Sequence, residues 1–558
     1  MAQEVSQKWW KEAVVYQVYP RSFKDSNGDG IGDLRGLIEK LDYLRDLGVD
    51  VIWICPIFKS PQDDNGYDIS DYQDIHFEFG TMADFDELLA EVHKRGMKLI
   101  LDLVLNHTSD EHPWFLESRS SKDNSKRDWY IWRDGKNGRE PNNWESIFAG
   151  PAWKYDPHTG QYFMHIFSAR QPDLNWENKD MREAAYKMVR WWLDKGIDGF
   201  RIDAISHTKK MPGLPDLPNP QGLKYVPSYA MHMNVEGVLD YVAELCEQTF
   251  SRYDVMTVGE ANGVNSTQAQ AWVAEDKKRL NMIIQFEHTK LWDSLGEEKF
   301  DLAELKSIFA NWQKNLHGVG WNALFVENHD ITRVVSRWGD PGKLRRESAT
   351  SIAAMYFLMQ GSPFIYQGQE IGMTNTVFSG PEDFQDVFAK NHFAIRREEG
   401  ASDAEITREI ADKSRDNART PMQWNAQAHG GFTTGTPWLK VNPNYKEINV
   451  EAEQKDPRSV LNFYKKLIRL RKEHAVFIYG DFDLVVPEHT EVFAYKRTRG
   501  GQTAWVFSNM KGKATQVNLP AQAPAELVLS NYDGAEQMMP ASMTLQPYEC
   551  RVYLSSRV

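Results

Sequence analysis

The stretch GFRIDA at residues 199–204 is a short β-prone run with a charged residue, Asp203, next to its end and longer amphipathic stretches separating it from the runs before and after it. Seven more runs of this kind occur: AVVYQVYP (13–20), VDVIWIC (49–55), MKLILDLVL (97–105), DVMTVGE (254–260), NMIIQFEH (281–288), WNALFVENH (321–329) and SPFIYQGQE (362–370). Short apolar runs separated by longer stretches of helical period read as parallel strands joined by crossover helices. Eight such units predict an α/β fold, a (β/α)8 TIM barrel.

The intervening stretches supply the helices. Residues 34–47 place Leu37, Ile38, Leu41, Leu44 and Leu47 three and four apart, an apolar stripe to face the strands. Residues 84–95, 181–195 and 302–316 read similarly. The gap between the third and fourth runs is too long for one helix, so residues 106–176, rich in Trp, Asn, Gly and Pro, are expected to form an inserted small domain. A second insertion follows the eighth run, at about 374–435, and its charged stretch EEGASDAEITREIADKSRD reads as a solvated helix face. After a last amphipathic helix at 459–472, alternating strands such as VFAYKRTR, TAWVFSN and CRVYLS predict a C-terminal antiparallel β-sandwich. The expected division is therefore barrel over 1–105 and 177–479, insert over 106–176, and sandwich over 480–558.

A chain of 558 residues that is 41% hydrophobic can bury a large core, and its net charge of -14 argues against a nucleic-acid partner, which needs a basic patch. A neutral small molecule fits better. No apolar run approaches the roughly 18 residues of a membrane span, and MAQEVSQKWWKEAVVYQVYP lacks the order of a secretory leader, so no membrane and a cytoplasmic location are expected. Cys55, Cys246 and Cys550, odd in number and far apart, suggest neither a disulfide framework nor a zinc cluster. Walker and dinucleotide glycine loops, HExxH and GxSxG are absent, so no organic cofactor is expected.

In a parallel barrel the active site forms at the carboxyl ends of the strands. There the runs carry Asp102, Asn106 and His107; Arg201 and Asp203; Glu260; and Glu327, Asn328, His329 and Asp330. One such residue alone would more often be a helix cap or loop anchor. Acids at four strand ends suit glycosidic cleavage, in which one carboxyl protonates the leaving oxygen and another meets an oxocarbenium-like carbon.

Taken in order, DLVLNH (102–107), GFRIDA (199–204), VGEA (258–261) and VENHD (326–330), with QPDLNW (171–176), resemble the characteristic segments of glycoside hydrolase family 13, the α-amylase superfamily, in its oligo-1,6-glucosidase and α-glucosidase branch. The resemblance covers essentially the whole chain and implies a retaining, exo-acting α-glucosidase working by double displacement. It implies Asp203 as nucleophile, Glu260 as acid/base, and Asp330 as the carboxylate that holds sugar hydroxyls. His107, His329 and Arg201 would orient sugar or nucleophile. Asp64 and Tyr67, with Arg415 as the partner of Asp64, would grip the terminal glucose, although an ordinary loop-to-loop salt bridge reads the same. Phe148 and Phe167 would line the sugar site or simply pack.

DSNGDGIGD places Asp25, Asn27, Asp29 and Asp33 at alternate positions with glycines between, a calcium-type oxygen loop without the closing glutamate of an EF-hand. The resemblance adds the Ile31 carbonyl and implies a structural Ca2+, with Mg2+ as the alternative and an empty Asx turn as the plain reading. Ala204, where the α-1,6 relatives typically have valine, favours α-1,4 substrates of maltose type over isomaltose; ISH (205–207) and EANG (260–263) point the same way. Sucrose isomerases or transglycosylases share the catalytic residues, but their Arg-Leu-Asp-Arg-Asp stretch is replaced here by KLWD (290–293). A non-catalytic transporter subunit would lack the carboxylates. The partner expected is a short oligosaccharide, and the protein a monomer or weak homo-oligomer.

Overall fold

A computed structural model describes residues 6–292, 300–520 and 524–556. Asp293 of the KLWD stretch lies outside the described residues. All eight apolar runs contain a strand: β1 (Val15–Val18), β2 (Val51–Ile54), β3 (Lys98–Val104), β4 (Gly199–Asp203), β5 (Met256–Glu260), β6 (Met282–Ile284), β7 (Ala323–Leu324) and β8 (Ser362–Tyr366). They form one parallel sheet in the order β6-β5-β4-β3-β2-β1-β8-β7, curled so that β6 and β7 approach each other, a barrel. Helices cover the outer face and side chains fill the inner one, so the strands are buried on both faces and read as continuous apolar runs.

Register sets the site. Arg201 pairs with Asp102 across β4 and β3, and Ile202 pairs with Gly259 across β4 and β5, so one step further Asp203 stands level with Glu260. Gly199 makes this approach possible. At φ +141 it occupies a region glycine favours, and a Cβ there would lie 1.9 Å from the Met256 carbonyl oxygen.

The stripe at 34–47 is two helices, Leu34–Glu39 and Leu41–Leu47, not one. The Lys40 N–H bonds to the Leu37 carbonyl, a tight i to i+3 closure that ends the first helix while Leu37, Leu41, Leu44 and Leu47 stay buried. The helix Leu302–Leu316 has the expected bounds, capped by Asp301. Between β3 and β4 a three-stranded antiparallel sheet (Trp132–Arg133, Trp153–Asp156, Gln161–Met164) carries its own core of Ile131, Trp144, Trp153, Met164 and Ile166. It is tied back to the barrel by the Leu174 N–H donating to the Asn106 carbonyl at 2.9 Å.

The C-terminal strands β9 (Asp481–Leu484), β10 (Val492–Arg499), β11 (Gln502–Asn509), β12 (Glu526–Ser530) and β13 (Cys550–Leu554) form an antiparallel sheet in the order β9-β10-β11-β13-β12. A second antiparallel pair, Thr515–Asn518 with Ser542–Leu545, accompanies it. Two buried arginines stand at the junction, and the one on β10, Arg497, fastens this unit to the barrel. Arg471 donates to the carbonyls of Phe357, Met359 and Gly361, and Arg497 to those of Leu358, Phe477 and Gly480. Burial pulls their pKa values down to about 9 and about 10. Among the described residues no helix is long and apolar enough to cross a membrane.

Candidate active site

Arg201 is the hub of the barrel mouth. Its Nη1 lies 2.8 Å from Asp102 and 2.6 Å from Asp203, and its Nη2 lies 2.8 Å from Glu260. Asp102 is fixed in turn by the Tyr67 hydroxyl at 2.8 Å and the Trp53 indole N–H at 3.2 Å. One guanidinium at the end of β4 thus reaches the terminal carboxyls of β3, β4 and β5. The side chains of Asp203 and Glu260 keep 11% and 10% exposure, enough for both to face the recess.

Their electrostatics divide the labour. Burial pushes Glu260 up to about 8, with the negative Asp203 and Asp330 adding and Arg201 opposing. Glu260 Oε2 accepts from the Ala204 N–H at 2.9 Å, which leaves its other oxygen to carry a proton. Asp203 is also raised by burial, but Arg201 and a hydrogen bond from Glu260 pull it down. A pair so close holds one proton near neutrality, and Glu260 is the member that keeps it. Ala204 adopts φ 45, a left-handed conformation that turns the chain out of β4 and aims its N–H at Glu260.

A second charged cluster stands beside the first. Arg415 lies 3.0 Å from Asp64, 3.1 Å from Asp330 and 2.6 Å from Asp386, while Arg419 adds 3.0 Å to Asp330. Against the upward push of burial, the neighbouring His329 and the positive charges of Arg415 and Arg419 hold Asp330 well below the usual carboxylate range. His329 Nε2 is 3.0 Å from Asp330 without hydrogen-bond alignment, its Nδ1 meets Gln17 at 2.8 Å, and its ring stacks on Tyr67 at 5.1 Å. His107 contacts the Tyr67 carbonyl at 3.0 Å, and burial lowers its pKa to about 4. Phe167 packs on His107 at 5.0 Å and on Phe148 at 5.6 Å, and Phe148 lies 4.8 Å under the Arg415 guanidinium. The structure therefore brings together Asp64, Tyr67, His107, Phe148, Phe167, Arg201, Asp203, Ala204, Glu260, His329, Asp330 and Arg415.

Asp386, Arg419 and Gln171 join them without having been singled out. Gln171, in QPDLNW, donates to Asp64 at 3.1 Å and meets His107 at 3.2 Å. Arg419 follows Arg415 by four residues, a helical spacing that would have found it. Asp386 gives no such signal: its pattern is that of an ordinary helix N-cap, and it does accept from the Phe388 N–H.

The loop at 25–33 stands apart. Asp25 accepts from the N–H groups of Asn27, Gly28 and Gly30 and from the Thr433 hydroxyl, while Asn27 accepts from Asp29 N–H and Asp29 from Ile31 N–H. Asp33 accepts from Ser26 and caps the helix at Gly36. In this arrangement the acceptor sites of Asp25 are filled by protein donors, and among the described residues no three His, Cys, Asp or Glu side chains cluster as a metal site. The candidate donors are all oxygen, the chemistry of Ca2+ or Mg2+.

Comparison with known proteins agrees along the chain. The alpha amylase catalytic-domain model matches residues 17–480, and the alpha-amylase SusG C-terminal domain model matches 492–552. The chain is similar to probable oligo-1,6-glucosidase 3 of Bacillus subtilis (strain 168), 56% identical over 98% of this chain and 99% of that one. Among solved structures it resembles the Bacillus licheniformis trehalose-6-phosphate hydrolase (45% identity, TM-score 0.91, 99% of this chain and 100% of that one). It also resembles the trehalulose synthase of Pseudomonas mesoacidophila MX-45 (43% identity, TM-score 0.92, 99% and 100% covered).

Proposed function

This chain belongs to the alpha-amylase catalytic-domain family and is a glycoside hydrolase, and on that premise we propose that it removes one terminal α-linked glucose from short oligosaccharides with retention of configuration. The observation that carries this reading is the single guanidinium of Arg201 shared by Asp203 and Glu260, with the proton on Glu260. Glu260 gives that proton to the glycosidic oxygen as Asp203 attacks the anomeric carbon, and the leaving sugar departs as an alcohol. Glu260, now ionised, takes a proton from water, whose oxygen displaces Asp203 and restores both groups. Retaining enzymes need the two carboxyls only about 5–5.5 Å apart, room for no intervening water, and contact of both with one guanidinium fits that spacing. Arg415, held by Asp64, Asp330 and Asp386, would close the end of the recess and favour terminal units.

For the linkage, the similarity to an oligo-1,6-glucosidase supports α-1,6 cleavage of isomaltose-type substrates better than the α-1,4 reading of the sequence. Ala204 keeps α-1,4 as the second reading, since its small, buried side chain directly follows the nucleophile in the chain and its backbone N–H meets the acid. The likeness to a trehalulose synthase keeps sucrose isomerisation as a rival. Rates and products on isomaltose, maltose, sucrose and trehalose, side by side with Asp203→Ala, test the reading. Exchange of sucrose into an isomer with little free glucose would overturn hydrolysis. We further propose a cytoplasmic location and a structural Ca2+, with Mg2+ competing, held by Asp25, Asn27, Asp29, Asp33 and the Ile31 carbonyl; the cation would cross-link the loop and take no part in bond cleavage.

A further inference from the structure

Behind the acid/base a chain of four polar groups runs away from the recess: Asn262, His207, His232 and Ser228. The Ser228 Oγ lies 2.8 Å from the Glu145 carbonyl oxygen, an atom that only accepts, so the serine proton is committed there. His232 Nε2, 3.1 Å from that Oγ, must therefore carry a hydrogen and donate. Burial holds both imidazoles neutral, His207 down at about 3 and His232 well below its ordinary value. A neutral ring has one N–H, so His232 Nδ1 is bare. His207 Nδ1, 2.9 Å away, must then be the N–H that faces it, which leaves His207 Nε2 bare in turn. The Asn262 amide nitrogen, 3.4 Å from that Nε2, fills it.

We propose that this relay fixes the orientation of the Asn262 carboxamide, nitrogen inward and Oδ1 outward, so that Asn262 offers an acceptor to a hydroxyl of the leaving sugar and selects sugar leaving groups over others. Asn262 follows Glu260 by two residues and stays partly exposed. His207 and His232 are buried and serve as positioning residues. The relay also spans three segments, since His207 follows β4, Ser228 and His232 lie in the excursion after it, and Glu145 belongs to the inserted domain. The proposal rests on the α-glucosidase reading above.

The test compares isomaltose and maltose, whose leaving groups carry hydroxyls, with p-nitrophenyl α-glucoside, whose leaving group has none. His232→Phe, and the gentler Ser228→Ala, are expected to lower kcat/KM on the disaccharides up to about tenfold, mainly through KM, and to leave the aryl glucoside within about twofold. A double-mutant cycle reads the proton itself. In Asn262→Asp a carboxylate oxygen faces the bare Nε2 of His207, acceptor against acceptor. Adding His232→Phe lets His207 move its proton to Nε2, so the double variant should recover about fivefold over Asn262→Asp alone on disaccharides. Parallel loss on aryl glucoside and disaccharide, or a double variant worse than Asn262→Asp, would overturn the relay. Failure of the underlying reading looks different: the wild-type protein would leave p-nitrophenyl α-glucoside uncleaved.

Discussion

Replacing Glu260 by Gln tests the charge assignment on two independent axes. The first is kinetic. With its pKa near 8, Glu260 loses its proton as pH rises through that value, so wild-type activity should fall on the alkaline side. Glu260→Gln is expected to lose about 10²- to 10⁴-fold in kcat on isomaltose, to lose far less on 2,4-dinitrophenyl α-glucoside, whose leaving group needs no proton, and to lose the alkaline limb on that substrate. The second axis is stability. Between the ordinary value of 4.5 and about 8 the folded state binds a proton that the unfolded state has released. Stability contributed by the protonated carboxyl is thus fully present below 4.5 and drains away, at about 1.4 kcal/mol per pH unit, as pH rises through the window. At pH 7 the deficit is about 3 kcal/mol, an order-of-magnitude figure because Asp203 titrates alongside. An amide avoids it. With unfolding entropy near 2.1 cal/mol/K per residue, the variant should melt roughly 2–3 °C above wild type at pH 7 and level with it near pH 4.5. Thermal unfolding followed by fluorescence at both pH values checks this. A gain independent of pH, or an alkaline limb that survives in the variant, would refute the assignment of that proton to Glu260.

Arg415→Ala should leave Asp64, Asp330 and Asp386 without their shared counter-charge and cut kcat/KM on disaccharides at least about 100-fold, with products longer than glucose appearing from longer oligosaccharides by chromatography. Removal of divalent cations by a chelator should lower the melting temperature by roughly 2 °C, reversibly on adding Ca2+, while activity per folded molecule at 25 °C stays unchanged. Ala204→Val should raise the ratio of isomaltose to maltose kcat/KM about tenfold, and lower the melting temperature because a β-branched residue is strained at φ 45.

The barrel was legible because parallel strands buried on both faces leave unbroken apolar runs, and because a strand that ends at an active site ends on charge. Asp102, Arg201, Asp203 and Glu260 could be read this way, although the pairing of Arg201 with all three acids follows only from register. The seventh run looked as strong as the others, yet only Ala323–Leu324 pairs in the sheet, and the charged residues of the run follow after that short strand has ended. Helix ends were less visible, since the closure at Lys40 depends on where Asp33 pins the first turn. Asp386 and His232 stayed hidden for a common reason. Each satisfies a local rule, helix capping or core packing, and gains its further role from a partner tens or hundreds of residues away.

The recess as a whole carries more acid than base. Among the described residues, Asp64, Asp102, Asp203, Glu260, Asp330 and Asp386 pair with the guanidinium groups of Arg201, Arg415 and Arg419 alone, and even with Glu260 protonated the balance stays negative. Such an excess is costly to bury, which is why Arg201 and Arg415 are each shared among three carboxylates and why the imidazoles of His107 and His329, deprived of water, remain neutral rather than adding charge. A neutral glucoside gains little from the field in its ground state. As the glycosidic bond stretches, positive charge grows on the anomeric carbon and ring oxygen, and the same field, already oriented and shielded from water, then stabilises it. The imbalance that weakens the recess is thus the source of its preference for the transition state, and it explains why the acid/base is Glu260, the carboxyl whose proton is held by burial and by the negative charges of Asp203 and Asp330.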